Sequence, residues 1–206
     1  DLHSFPTRRS SDLFVKDLRT AVATPDAPTV VRYPKGALPE RAPAGRVLGP
    51  PGDPFEAVDV LAEPDDDGAP AGWPRQGLLL VAVGAMTPAV LAAGRELAAE
   101  GRAVTVAVPR WVVPVPRTLV ETARRFAGVV VVEDGLVDGG VGSRLRDAIE
   151  DDAVAGGGRG PLVVRVGVPR RFLGTATRGE LLADFGMDEA GIAAAARRLL
   201  DALGRV

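Results

Sequence analysis

Gly77-Leu78-Leu79-Leu80-Val81-Ala82-Val83-Gly84-Ala85-Met86-Thr87-Pro88-Ala89-Val90-Leu91-Ala92-Ala93 is the longest apolar stretch of the chain, and its breaks at Gly84, Thr87 and Pro88 decide how it reads. Leu78 to Val83 is a short apolar run closed by glycine, the pattern of a strand buried on both faces. Thr87 and Pro88 form an N-cap and N1 pair that predicts a helix to Glu100, closed by Gly101. So broken a stretch does not span a bilayer.

The same alternation continues downstream. Ala103 to Ala107, Val129 to Val132 and Leu162 to Val166 read as further strands, with helices predicted from Thr118 to Ala127 and from Val141 to Ile149. Thr177-Arg178-Gly179-Glu180 is a capping box, and Asp188 caps an alanine-rich helix to Leu203 with Ile192, Ala196, Leu199, Leu200 and Leu203 on one side. Strands alternating with helices predict an α/β fold, a three-layer α/β/α arrangement on a mostly parallel sheet, over residues 77–206.

Upstream the pattern is different. Phe14, Val15, Leu18, Ala21 and Val22 have helical spacing and Thr29 to Tyr33 reads as a strand, so residues 14–36 look like the tail of a preceding domain. Residues 37–76 are rich in Pro, Gly, Ala and acid and read as a linker, with a short strand near Ala57 to Leu61 and Trp73 as a candidate interface anchor. Residues 1–13 have no apolar h-region and are not a secretory signal; they resemble translated sequencing-adapter read-through, a non-native segment that contains the single histidine, His3.

Composition narrows the function classes. A formal charge of -2 gives no concentrated positive face for nucleic acid. The absence of cysteine removes disulfides, thiolate metal sites and a cysteine nucleophile, and fits a cytoplasmic protein.

Two arginines stand out. Arg32 in Val30-Val31-Arg32-Tyr33-Pro34-Lys35-Gly36 and Arg110 in Val108-Pro109-Arg110-Trp111-Val112-Val113-Pro114 each follow a β-branched run beside prolines that fix the backbone. Two planar forks at strand ends suit one phosphate or carboxylate. The bland alternative pairs each with a surface carboxylate. Lys35 reads as an auxiliary charge or a solvated turn residue, Tyr33 as a second auxiliary, and Trp111 is expected under the Arg110 guanidinium. Gly139-Gly140-Val141-Gly142-Ser143 opens a helix whose amides would suit an anion, yet it lacks the residues of a P-loop. Its glycines read better as a closely packed structural or interface loop. Glu133 and Asp134 are adjacent on a strand end and face opposite sides, which points to structural or interface roles rather than a catalytic pair.

These elements, together with Leu80-Val81-Ala82-Val83-Gly84 and Gly167-Val168-Pro169-Arg170-Arg171-Phe172-Leu173, occur in an order that resembles the C-terminal third of the 1-deoxy-D-xylulose-5-phosphate synthase family, in register from Phe14 to Leu203. The resemblance implies a transketolase-superfamily transferase that uses thiamine diphosphate and Mg2+. It condenses pyruvate with glyceraldehyde 3-phosphate, releases carbon dioxide, begins non-mevalonate isoprenoid synthesis and works as a homodimer. In that family the residue matching Arg32 closes the pyrimidine-binding domain and the one matching Arg110 opens the C-terminal domain, and both hold the substrate phosphate. The chain departs from the family pattern at Val108, where Asp or Asn is common, at Val113, where a basic residue is usual, and after Asp134. It carries no Gly-Asp-Gly cofactor motif, so no residue here is expected to be catalytic, and the cofactor and metal are expected on upstream domains. Alternatives are the C-terminal domain of a transketolase, that of a 2-oxoacid dehydrogenase β subunit, and a non-catalytic assembly module.

Overall fold

The computed structural model describes residues 10–24, 28–32, 44–64 and 77–204, with side chains described from residue 14 onward. The chain divides into two compact units, Asp1–Pro43 and Ala44–Val206, each described by itself. In the first, α1 (Ser10–Val22) is the helix that the apolar spacing predicts. Residues 28–32 are not a strand, contrary to the expectation for Thr29 to Tyr33. A β-branched run needs a neighbouring strand to hydrogen-bond with, and the described part of this unit offers only a helix.

The second unit is built on one sheet. Its strands are β1 (Arg46–Leu48), β2 (Val58–Ala62), β3 (Leu78–Val83), β4 (Val104–Pro109), β5 (Gly128–Leu136) and β6 (Leu162–Val168), in the spatial order β1-β2-β4-β3-β5-β6. Strands β4, β3, β5 and β6 are parallel, as their apolar runs predict, while β1 pairs β2 and β2 pairs β4 antiparallel. The stretch expected as a linker therefore contributes two strands at residues 46–48 and 58–62. The second is the short strand expected near Ala57 to Leu61; Pro and Gly content hides the first, because only Val58-Asp59-Val60-Leu61-Ala62 is long and apolar enough to register as a strand.

Helices cover both faces. Helix α2 (Thr87–Ala99) packs with α6 (Glu189–Leu203) on one side, and α3 (Arg117–Ala123) with α4 (Val141–Ala155) on the other. Between the sheet and α3/α4 lies a cluster of Leu79, Val81, Ala107, Val129 and Val131 against Leu119, Phe126, Leu145 and Ile149. The opposite face takes Leu80 and Val106 beneath α2, with Ile192, Ala196 and Leu199 of α6 buried over β5. Thr87 is the first helical residue rather than the cap: the chain enters α2 through a 3-10 turn at Gly84–Met86, and Thr87 Oγ1 donates to the Gly84 carbonyl at 2.7 Å. Before the short helix α5 (Arg178–Asp184), the Thr177/Glu180 capping box forms as expected, and Asp188 accepts from the Gly191 amide at 2.9 Å to start α6.

Helix α2 lies against β4 through Gly94, where an added Cβ would sit 2.6 Å from Val106 Cγ2. Alanine is favoured over glycine in a helix interior by about 1 kcal/mol, yet overpacking a core costs about 1–3 kcal/mol. Gly94→Ala should therefore lower stability in a denaturant titration, and Gly94→Ala combined with Val106→Ala should lose less than the sum of the two single losses.

Candidate functional site

The parallel strands end on one edge of the sheet, and the chain reverses its winding between β3 and β5, the place where open α/β sheets usually admit ligands. The groups gathered along this edge decide what it can hold.

Glu133, near the end of β5 and 4% exposed, turns its carboxylate into the start of α4. Its Oε2 accepts from the Val141 amide at 2.8 Å and its Oε1 from the Gly142 amide at 2.9 Å. A helix start has amides without intrahelical partners and a partial positive charge, so a buried carboxylate is stabilised there. The glycines follow from this contact. A Cβ at Gly140 would lie 2.3 Å from Glu133 Oε2 and from the Leu136 carbonyl oxygen, and one at Gly142 would lie 3.2 Å from Arg165 Cγ and Glu133 Oε1. Gly139 has φ +77°, a left-handed conformation that glycine adopts without strain. Ser143 Oγ accepts from the Gly139 amide at 3.1 Å and from Arg165 Nη1 at 2.6 Å, while donating to the Val137 carbonyl at 3.0 Å. The glycine loop is thus a cradle for the protein's own carboxylate.

Asp134 faces the other way, as strand alternation requires, and accepts from Arg178 Nη2 at 2.7 Å. A second glutamate closes a second helix start: Glu56 accepts from the Arg117 amide at 3.1 Å and the Thr118 amide at 2.8 Å at the head of α3. Burial pushes the Glu56 carboxyl up, but hydrogen bonds from Thr118 and Arg117 and the Arg117 charge outweigh it and hold the group below the ordinary carboxylate value. Two anion-attracting helix ends along this edge are therefore already filled from within.

Arg110 is arranged differently. It follows the last residue of β4, and its own amide donates to the Ala57 carbonyl at 3.1 Å, continuing the antiparallel pairing with β2. Asp59 stands opposite Val108, so Arg110 is its diagonal neighbour on the same face of the sheet. Arg110 Nη2 donates to Asp59 Oδ1 at 3.0 Å, the two side chains being 15% and 5% exposed. The partner is thus a buried carboxylate and not the surface one of the bland reading. Among the described residues Arg110 Nη1 has no hydrogen-bond acceptor, and Nε is buried without one. Trp111 packs on Phe55, ring centroids 4.7 Å apart and planes at 48°, so the restraint on Arg110 comes from Asp59 where the sequence suggested the indole.

Arg32 is exposed and belongs to the first unit, so its position relative to Arg110 is not defined. Tyr33, Lys35, Trp73 and His3 lie outside the described residues. Sequence reasoning missed Asp59, Glu56 and Phe55. Asp59 did leave a signal, a lone acid inside an apolar run, since a carboxylate buried in a strand needs a cationic partner.

Residues 73–192 match the family described as Transketolase, C-terminal domain. The chain belongs to that family. It is 42% identical over 185 residues to 1-deoxy-D-xylulose-5-phosphate synthase of Kocuria rhizophila, covering 90% of this chain and 26% of that protein. With 1-deoxy-D-xylulose-5-phosphate synthase 1 of Kitasatospora griseola it shares 44% identity over 191 residues, covering 91% and 26%. The chain thus spans about a quarter of the length of the curated relatives it matches. Among solved structures it is similar to a split-gene transketolase described as an inactive beta4 tetramer, with TM-score 0.58, 31% identity, and coverage of 71% of this chain and 43% of that one. Membership of the transketolase C-terminal domain family accounts for the mostly parallel sheet and for the helices on both its faces.

Removing Glu133 leaves the Val141 and Gly142 amides without their acceptor, at a cost of about 3 kcal/mol. Glu133→Ala should lower the unfolding free energy by that amount in a denaturant titration, and Glu133→Gln by less, because the amide oxygen can still accept one of the two bonds.

Proposed function

We propose that this chain is the C-terminal part of a thiamine-diphosphate-dependent synthase that condenses pyruvate with glyceraldehyde 3-phosphate to 1-deoxy-D-xylulose 5-phosphate and carbon dioxide. In this reading Arg110 and Arg32 hold the phosphate of the triose, with Lys35 and Tyr33 as auxiliary groups from the same motif. The observation that carries it is the state of Arg110. Its guanidinium sits at the carboxyl edge of the parallel sheet, one Nη2 contact fixes it to Asp59, and Nη1 keeps its donors. Glu133 and Glu56 occupy two neighbouring helix starts, which leaves an arginine as the group on this edge suited to an incoming anion. Relatives over 36–44% identity carrying the synthase name support the same assignment.

The described residues do not fit the cofactor. Among them no group of three or more His, Asp or Glu side chains is placed to hold a metal ion, and the Glu133 carboxylate already accepts from the α4 amides that could otherwise meet an anion. No step of the reaction is therefore derived through thiamine diphosphate or Mg2+. The proposal assigns both to other parts of a longer protein, where the cofactor supplies the carbanion chemistry. The role left to this chain is to grip the acceptor substrate and to contribute to a homodimer. Among the described residues no helix is long and apolar enough to cross a membrane, and we place the enzyme in the cytoplasm. The split-gene transketolase favours a second reading, the C-terminal domain of a transketolase. Pyruvate consumption by the full-length gene product separates the two.

Steady-state kinetics on that product test the phosphate grip. Losing one charge-assisted contact costs about 1.5–3 kcal/mol, so Arg110→Ala and Arg32→Ala should each raise KM for glyceraldehyde 3-phosphate at least about tenfold and leave KM for pyruvate nearly unchanged. An equal rise in both constants contradicts the assignment.

A further inference from the structure

We propose that Asp59 is the positioning residue for Arg110, fixing which edge of the guanidinium is offered to the anion. This rests on the reading of Arg110 as a phosphate-holding group. Asp59 lies in an otherwise apolar strand between Val58 and Val60, both buried, and its own side chain is 5% exposed. Placing a carboxylate there is unfavourable unless it is paired, and a buried ion pair is seldom more stabilising than apolar side chains of similar size would be. Stability alone therefore does not account for the pair.

Its geometry does. The antiparallel register sets Asp59 opposite Val108, so the carboxylate meets the guanidinium two residues further along on the same face. An unrestrained arginine is a long, mobile side chain that must be ordered each time it grips a ligand. Asp59 orders it beforehand and takes one Nη2 donor to do so. Nη1 has no acceptor among the described residues, so that part of the fork stays able to donate, while Nε is buried without a partner. The Ala57 carbonyl fixes the Arg110 backbone at 3.1 Å, and Phe55 holds the following Trp111. Phe55, Ala57 and Asp59 thus anchor the arginine and its neighbour, and all three lie in the segment that reads as linker in the sequence. Asp59 touches no reacting atom in this account; it acts through Arg110.

The test is a double-mutant cycle in the full-length gene product. Asp59→Asn, which keeps the volume and loses the charge, should raise KM for glyceraldehyde 3-phosphate about tenfold with KM for pyruvate unmoved. Adding Asp59→Asn to Arg110→Ala should then change little, because two residues acting through one contact are not additive. A general loss of packing would move both Michaelis constants together. If Asp59→Asn yields too little folded protein, Asp59→Glu keeps the charge, displaces the carboxylate by one methylene and is read by the same two constants. Selective loss with non-additivity supports the proposal. If Arg110→Ala raises KM for the triose phosphate and neither Asp59 variant does, the positioning role is overturned while the phosphate reading stands. Should Arg110→Ala itself leave that constant unchanged, the phosphate reading falls and the Asp59 role falls with it.

Discussion

The antiparallel pairing of β2 with β4 is the constraint on which the site depends. Parallel strands alone would end β4 at a free edge, with Arg110 on a mobile connection. Laying β2 and the residues that lead into it beside β4 brings three anchors from alternate positions: a ring at Phe55, a carbonyl at Ala57 and a carboxylate at Asp59. Because the side-chain period of a strand is two, a slip of one residue would turn Asp59 to the other face and break its pairing with the part-buried Arg110 guanidinium. The register is therefore set by electrostatics as well as by apolar matching.

A second carboxylate explains what the edge does not do. Glu133 at the reversal between β3 and β5 occupies the α4 amides that would otherwise attract an anion, and the glycines around it leave no space for anything larger. Glu56 does the same at α3. With its usual ligand crevice closed by its own acids, the fold leaves a preordered arginine at the end of β4 as the group suited to the phosphate role proposed for it. Its partial neutralisation by Asp59 lowers the charge offered to the ligand but fixes its direction, trading affinity for geometry.

Much of this fold is legible in the sequence. The apolar runs at Leu78 to Val83 and Val129 to Val132 can be satisfied only by burial on both faces, and the caps at Thr177 and Asp188 act through contacts three residues away, so local reading finds them. The glycine run before α4 reads as a close-packed loop, and it is one. Pairing across the sheet is less visible. β1 has three residues in a stretch dominated by glycine and proline, and nothing in its composition indicates the partner strand that makes it one. Arg110 and Asp59 are 51 positions apart, so neither predicts the other until the register is known. Trp111 shows the limit of proximity arguments: adjacent to Arg110 in the chain, it packs on Phe55.

The central claim is that an anion at this edge is met by the Arg110 guanidinium and not by the helix starts. Titration of inorganic phosphate into the nitrogen-15-labelled chain, followed by NMR, addresses it directly. The account predicts saturable shifts of the Arg110 guanidinium signals while the Val141 and Gly142 amides stay in place, held by Glu133. Movement of those two amides with a silent Arg110 would contradict it.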